Sequence, residues 1–411
     1  QIEISGTGIQ LSKNLVEASM GQQGEYTITG SAALKQVIYS EPAFASIAIK
    51  KLSAENTKQF NKQTMLDIVL NVSRAYVSLL FAKNNLQIQN DNVYVTFQNL
   101  EMAKAKEESG EGSISDVNRW TSELSLNKMD LNDAQAGYKA AMYHLNEFLN
   151  LPISQTITTT DSAGIDEIIV LNQQILSLYF DNPNLTEKYA NFLVDEMRIN
   201  SPELQQLLNA EKIIDRKKSM HSRQMYIPEV ALFGSADQAF VREGIIENIK
   251  LPVPPPPDDI TWNFGVRFSL PLYEGGRKKS ELNRSLIELD KINWQKKDLL
   301  NNLERSIRSN VQLLKASYRE LDLSQKAAQA AEDNFKLIQD AYAQGVANVV
   351  QLIDAQNVMI RTKHLAISAY YQYILDFILT ERMQGKFSFL DNEMEQEMYT
   401  DRLLNYLTEE E

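Results

Sequence analysis

The chain has 411 residues, a net charge of −13 and no cysteine. The acidic balance, with no basic stripe to meet a phosphate backbone, excludes nucleic acid as a partner, and the missing cysteines exclude a disulfide framework. No window offers about 18 consecutive apolar residues, the pattern of a transmembrane helix.

The chain opens on Gln1-Ile2-Glu3-Ile4 without a signal peptide, so a processed or incomplete start is expected. A strand is predicted from Ile2 to Leu11, where Ile2 and Ile4 give way to Ile9 and Leu11; the phase slip at Gly6 and Gly8 predicts a bulge. A second strand follows in weaker alternation, with Tyr26, Ile28, Ala32, Leu34 and Ile38 on one side and Gly30 and Gln36 as gaps. Helical periodicity then runs from about Phe44 to Glu108, breaks over Ser109 to Ser113, and returns from Ile114 to Leu149. Leu151 to about Asn200 is of mixed composition, and its acids Asp161, Asp166 and Glu167 read as solvated loop residues.

A helix is predicted from Pro202 to Tyr226, then a strand from Val230 to Phe240. The run from Leu251 to Asp259, with prolines at 252 and 254 to 257, reads as a stiff hairpin loop or as a ligand for a proline-binding module. From Trp262 to Leu272 apolar residues alternate strictly with Thr261, Asn263, Gly265, Arg267 and Ser269. That is the pattern of a barrel strand with one face to lipid and one to water, or of an edge hairpin in a soluble sandwich. A long helix is allowed from about Glu274 to Ala343. Its apolar seam from Leu282 to Tyr342 steps by about 3.5 residues, the coiled-coil period, with only Lys296 and Gln325 as polar members. After a break from Gln344 to Asn348, a return helix runs from Val349 to Gln384, and an acidic tail ends at Glu409-Glu410-Glu411.

The two halves repeat each other. Gly110 and Gly345 sit in matching breaks 235 residues apart. At that spacing Ile68 answers to Leu303, Leu79 to Leu314, Leu100 to Phe335, Leu124 to Met359 and Tyr138 to Tyr373. Buried stripes are kept while intervening polar residues are not, so each half is one structural unit. The division expected is a first repeat at 1–150 (strand pair 1–42, helical hairpin 43–150) and a linker at 151–200. A second repeat follows at 201–385 (helix 201–227, strand pair 228–273, hairpin 274–385), then a tail at 386–411. The fold class is mainly α with β. Four strands cannot close in lipid, where every backbone group must be paired, so three copies giving twelve strands are expected, with the hairpins forming a hollow α-barrel.

Gly265-Val266-Arg267-Phe268-Ser269-Leu270-Pro271-Leu272-Tyr273-Glu274-Gly275-Gly276-Arg277 and Gly345-Val346-Ala347-Asn348-Val349-Val350-Gln351-Leu352-Ile353-Asp354-Ala355 resemble the two hallmark segments of TolC-like outer-membrane efflux channels. Weaker echoes lie at Gln36 to Tyr39 and Gly110 to Val117, and Asn200 to Leu204 with Tyr226 to Glu229 resembles the family's helix before the second strand pair. The resemblance covers nearly the whole chain. It implies a homotrimer in the bacterial outer membrane, extending into the periplasm, with a 12-stranded β-barrel and an α-barrel. It also implies a periplasmic adaptor, an inner-membrane pump and an export function. Residues 151–200 and the tail correspond to the family's equatorial belt. The family's helix before the first strand has no counterpart here, so an upstream segment is expected.

The same resemblance assigns roles at the hairpin tips. Asp354 keeps one of two acidic positions that ring the tunnel's narrowest part, while Gln351 replaces the other. Asp116 and Tyr342 fit a gating link whose arginine position is taken by Ala347, which implies a weaker or differently made latch. Asp116 also suits a plain helix N-terminal carboxylate, and Gly110 and Gly345 suit either adaptor contact or a tight turn alone. An enzyme is disfavoured: His144, His221 and His364 have no metal spacing, no cofactor is expected, and Gly110 to Gly112 lacks a phosphate loop's context. The alternative is a soluble coiled-coil scaffold with a terminal sheet.

Overall fold

The computed structural model describes residues 1–19, 23–159, 180, 182–244 and 258–408. The proline-rich run at 252–257, Asp161, Asp166, Glu167 and the acidic end at Glu409 to Glu411 lie outside the described residues. The elements in chain order are β1 (Ile2–Gln10), α1 (Lys13–Ala18), β2 (Tyr26–Tyr39), α2 (Glu41–Glu108), α3 (Ile114–Phe148), α4 (Pro183–Asn200) and α5 (Pro202–Arg223). After these come β3 (Glu229–Glu243), β4 (Ile260–Ser269), α6 (Arg277–Ala343), α7 (Val349–Gln384), a 3-10 turn at Ser388–Leu390 and α8 (Glu393–Thr408). The expected strands and long helices are all present. Helix α1, α4 and α8 had no counterpart in the sequence reading.

Two compact units arise, one from residues 1–57 and 207–295 and the other from 58–206 and 296–411. The first unit holds a four-stranded antiparallel sheet in the order β1-β2-β3-β4. Its register sets Ile2 beside Leu34, Leu34 beside Gly234, and Gly234 beside Phe264; one residue pair along, Ile4, Ala32, Ala236 and Trp262 line up. Because side chains alternate along a strand, these form one apolar face, while Ser5, Ser31, Asp237 and Thr261 share the other. The apolar face is bare: Trp262 is 76% and Phe264 67% exposed.

The bulge expected in β1 is not there. Its pairing with β2 runs unbroken from Ile2 to Gln10, and the irregularities fall between β2 and β3, at Phe240 and at Ile38. Without a bulge, Ile9 lies on the face opposite Ile2 and Ile4, and the Cβ-free Gly6 and Gly8 span the change. The extra residue Phe240 lays its ring over Gly30, where a Cβ would sit 2.5 Å from a ring carbon. Strand β4 also stops at Ser269, short of the expected Leu272. Ser269 pairs with Glu229 at the start of β3, and Pro271 just beyond has no N–H to give to a ladder.

In the second unit, α2, α3, α6 and α7 supply the helical hairpins. The seam read from sequence is the buried one: Ile307, Val311, Leu314, Leu321, Ala331, Phe335 and Tyr342 of α6 are all buried. Each large apolar side chain so removed from water contributes roughly 1.5–3 kcal/mol. Helix α4 begins at the Asn182 cap with Pro183 in its first turn and buries Tyr189, Phe192, Leu193 and Met197 in the core shared with α7 and α8. Helix α2 contains an 18-residue stretch of mean hydropathy 1.5, long and apolar enough to span a membrane by composition, although a third of it (33%) is buried inside the protein. Helix α2 contributes Leu66, Leu70, Val77 and Leu80 to the core.

Candidate functional site

The candidate site is built on the two helix reversals at the ends of the hairpins. In the first, the N–H of Glu111 bonds to the carbonyl of Lys106 at 2.8 Å and the N–H of Gly110 to that of Glu107 at 3.0 Å. In the second, Val346 bonds to Ala341 at 2.8 Å and Gly345 to Tyr342 at 3.1 Å. Both are the paired-bond helix stop that places its turning residue in the left-handed region, and φ is +78° at Gly110 and +76° at Gly345. An added Cβ would meet nothing within 4 Å at either glycine, so backbone conformation and not space demands the residue.

The return helices start on side-chain caps. Ser113 accepts from Ser115 N–H at 3.1 Å, and Asn348 accepts from Gln351 N–H at 3.0 Å while the Gln351 amide oxygen accepts from Asn348 N–H at 2.9 Å. Gln351 is therefore held back against its own helix as half of a capping box. Asp354, one turn on, is exposed.

Asp116 and Tyr342 come together. Tyr342 is buried at 4% exposure, and burial pushes its phenol pKa up; the Trp120 indole N–H pulls it down, and the Asp116 carboxylate raises it again. The fully buried Trp120 nitrogen reaches no acceptor with hydrogen-bond geometry, so its influence is small beside burial. Asp116 and Tyr342 interact through charge and not through a direct bond.

Lys106 completes the group and was not singled out in the sequence. Its Nζ lies 4.4 Å from the centre of the Tyr342 ring and donates to the Tyr342 backbone carbonyl. Helix α2 is thereby tied to the end of α6, whose last carbonyls carry partial negative charge. The signal available was the position of Lys106 in the last turn of α2, a common one for lysine. The three histidines stand on three elements, His144 on α3, His221 on α5 and His364 on α7, and among the described residues no His, Asp or Glu cluster could hold a metal ion.

Residues 193–377 match the family model for outer membrane efflux proteins. The outer membrane protein TolC of Salmonella enteritidis is 23% identical over 113 residues, 28% of this chain and 23% of that protein. TolC of Escherichia coli K12 is 22% identical over 112 residues, again 23% of its length. The alignments thus span about a quarter of these curated relatives. Solved structures match over most of the chain. A membrane protein from Pseudomonas aeruginosa has a TM-score of 0.71 at 13% identity, covering 94% of this chain and 83% of that one. The MtrE outer membrane channel of Neisseria gonorrhoeae, in its open state, has a TM-score of 0.70 at 14% identity, covering 94% and 80%.

Proposed function

We propose that this chain, whose residues 193–377 match the outer membrane efflux protein family, is a TolC-like exit duct of the outer membrane, the last part of an export system for small molecules or proteins. The observation that carries the reading is the sheet. Its apolar face, with Ile4, Trp262, Phe264 and Phe268 exposed, opposes a polar face, and β1 and β4 each leave one edge unpaired. In hydrocarbon such edges are forbidden, so β1 of one copy would pair with β4 of the next. Three copies close twelve strands, with lipid outside and water within.

The hairpin tips supply the gate. Lys106, from the first hairpin, would supply at Tyr342 the cation that Ala347 does not supply in the second. Three copies of Asp354 would ring the mouth and favour cations. Gln351, occupied by its capping box, adds no charge. Gly110 and Gly345, with open space around them, present bare backbone where a periplasmic adaptor linked to an inner-membrane pump would pack. Catalysis forms no part of this reading.

Extraction and conductance test it. The protein should need detergent, run as a trimer and form pores in planar bilayers. A monomer stable in buffer without detergent overturns the proposal and favours a soluble scaffold.

A further inference from the structure

Fully inside the second unit, at a level 11 residues from each turn glycine, lies a closed set of amides. Gln356 of α7 is the hub: its oxygen accepts from Asn99 Nδ2 at 3.1 Å, and its nitrogen donates to Asn92 Oδ1 at 2.7 Å and to Thr96 Oγ1 at 2.6 Å. Thr96 Oγ1 also accepts from Asn127 Nδ2 of α3 at 2.8 Å, and Asn99 Oδ1 accepts from Gln339 Nε2 of α6 at 3.3 Å. Asn92, Thr96, Asn99, Asn127 and Gln356 are each at most 4% exposed. All four hairpin helices meet in this one layer.

The bonding is directional and mutually determined. Both Gln356 amide hydrogens are used, and turning that amide over would set nitrogen against the Asn99 nitrogen. The surrounding contacts are of another kind: Leu100, Ala103, Trp120, Phe335, Leu352 and Met359 form an apolar cluster, which tolerates sliding because hydrophobic contact has no direction. Buried amides do not, since each bond broken without water leaves an unpaired polar group. The layer is also unrepeated. At the 235-residue spacing Gln356 answers to Thr121, which is exposed and bonds back to its own helix at Val117.

We propose that this amide layer is a register clamp, holding the first and second hairpins of one chain together so that only the segments beyond it, about 16 Å of helix, are free to part at the tips. Its role in opening rests on the duct reading above; the clamp itself does not. Opening then leaves the two hairpins of a chain joined at the level of Gln356, and shifts of one against the other are confined to the ends.

These 411 residues contain no cysteine, so spin labels can be placed in them without background. One pair, at Gln98→Cys and Asn357→Cys, uses exposed positions beside Asn99 and Gln356; the other, at Ser109→Cys and Val346→Cys, uses exposed tip positions. In detergent-solubilised protein, with labelled chains diluted among unlabelled ones so that only intrachain pairs are read, the layer pair should give one narrow distance and the tip pair a broader one. An all-apolar layer (Asn92→Leu, Thr96→Val, Asn99→Leu, Asn127→Leu, Gln356→Leu) leaves only Gln339 without its partner, and that half-buried side chain can turn to water. The apolar variant should keep its melting temperature yet lose the single narrow distance at the layer. Retention of that distance in the apolar variant, or a native layer pair as broad as the tip pair, overturns the clamp; the second comparison decides even where the variant does not fold. Native protein that forms no pore while keeping the label contrast removes the duct reading and leaves the clamp standing.

Discussion

The ammonium of Lys106 rests 4.4 Å over the ring of Tyr342 while donating to the carbonyl of that same residue. Two hairpins distant in sequence are joined by one side chain using two kinds of attraction. Ring and carbonyl together hold a cation better than either alone, since the phenol is buried and its surroundings screen charge poorly.

Removing that cation should loosen the gate. A charge-assisted hydrogen bond contributes about 1.5–3 kcal/mol and a cation–π contact about 0.5–2 kcal/mol, discounted here because Lys106 is only half-buried. Lys106→Met keeps the aliphatic stem and should raise the open fraction of single channels roughly tenfold, the factor that 1.4 kcal/mol sets. Unchanged single-channel records would show that the contact is not a latch.

The two faces of the sheet should respond oppositely to charge. Trp262→Lys puts an ammonium on the apolar face and should cost about 2–4 kcal/mol near the membrane midplane, while the neighbouring Asn263→Lys, on the polar face, should cost little. Denaturant unfolding from lipid vesicles measures both. Equal losses would mean that neither face meets lipid.

At the reversals, Gly345→Ala forces a side chain into the left-handed region at a cost of roughly 1–2 kcal/mol, and Gly110→Ala should match it because φ is the same within two degrees. Thermal melting compares the two. Since nothing lies within 4 Å of either position, a much larger loss at one tip would point to a contact made only in the assembled channel.

Stability should also depend on pH through Glu381. This carboxyl is buried beneath the last turn of α7, accepting from the Gln384 amide at 2.8 Å and from the Ser388 N–H, and burial raises its pKa to about 7. A folded-state value above the unfolded one means the contribution is full below about pH 4.5 and is lost as pH rises to 7, a change of about 3 kcal/mol. The native protein should therefore melt lower at pH 8 than at pH 5 by more than Glu381→Gln does. Parallel pH profiles would remove Glu381 as the cause.

Much of the architecture could be read from residue order because it is local. The reversals follow from Gly110 and Gly345, whose hydrogen bonds involve residues within one turn, and the α6 seam from Leu303 to Tyr342 follows from its own period. Strand existence was equally plain in Trp262 to Ser269, whereas the bulge was misplaced: Gly6 and Gly8 carried the visible phase slip, but the ladder absorbs its irregularity at Phe240, whose ring needs the empty space over Gly30. Helices α4 and α8 escaped notice because their composition is mixed and their burial comes from packing on each other and, for α4, on α7.

The sequence alone determined the elements, their duplication and the apolar faces, since each depends on neighbours along one helix or strand. Which face meets which is a different matter. Lys106 lies 236 residues from Tyr342 and Gln356 lies 257 from Asn99, and a polar residue inside an apolar seam looks the same in sequence whether it meets water, a partner amide or a ring. Only the tertiary structure decided that these groups are buried and paired, because a desolvated polar group requires a partner and the folded chain alone brings that partner within reach.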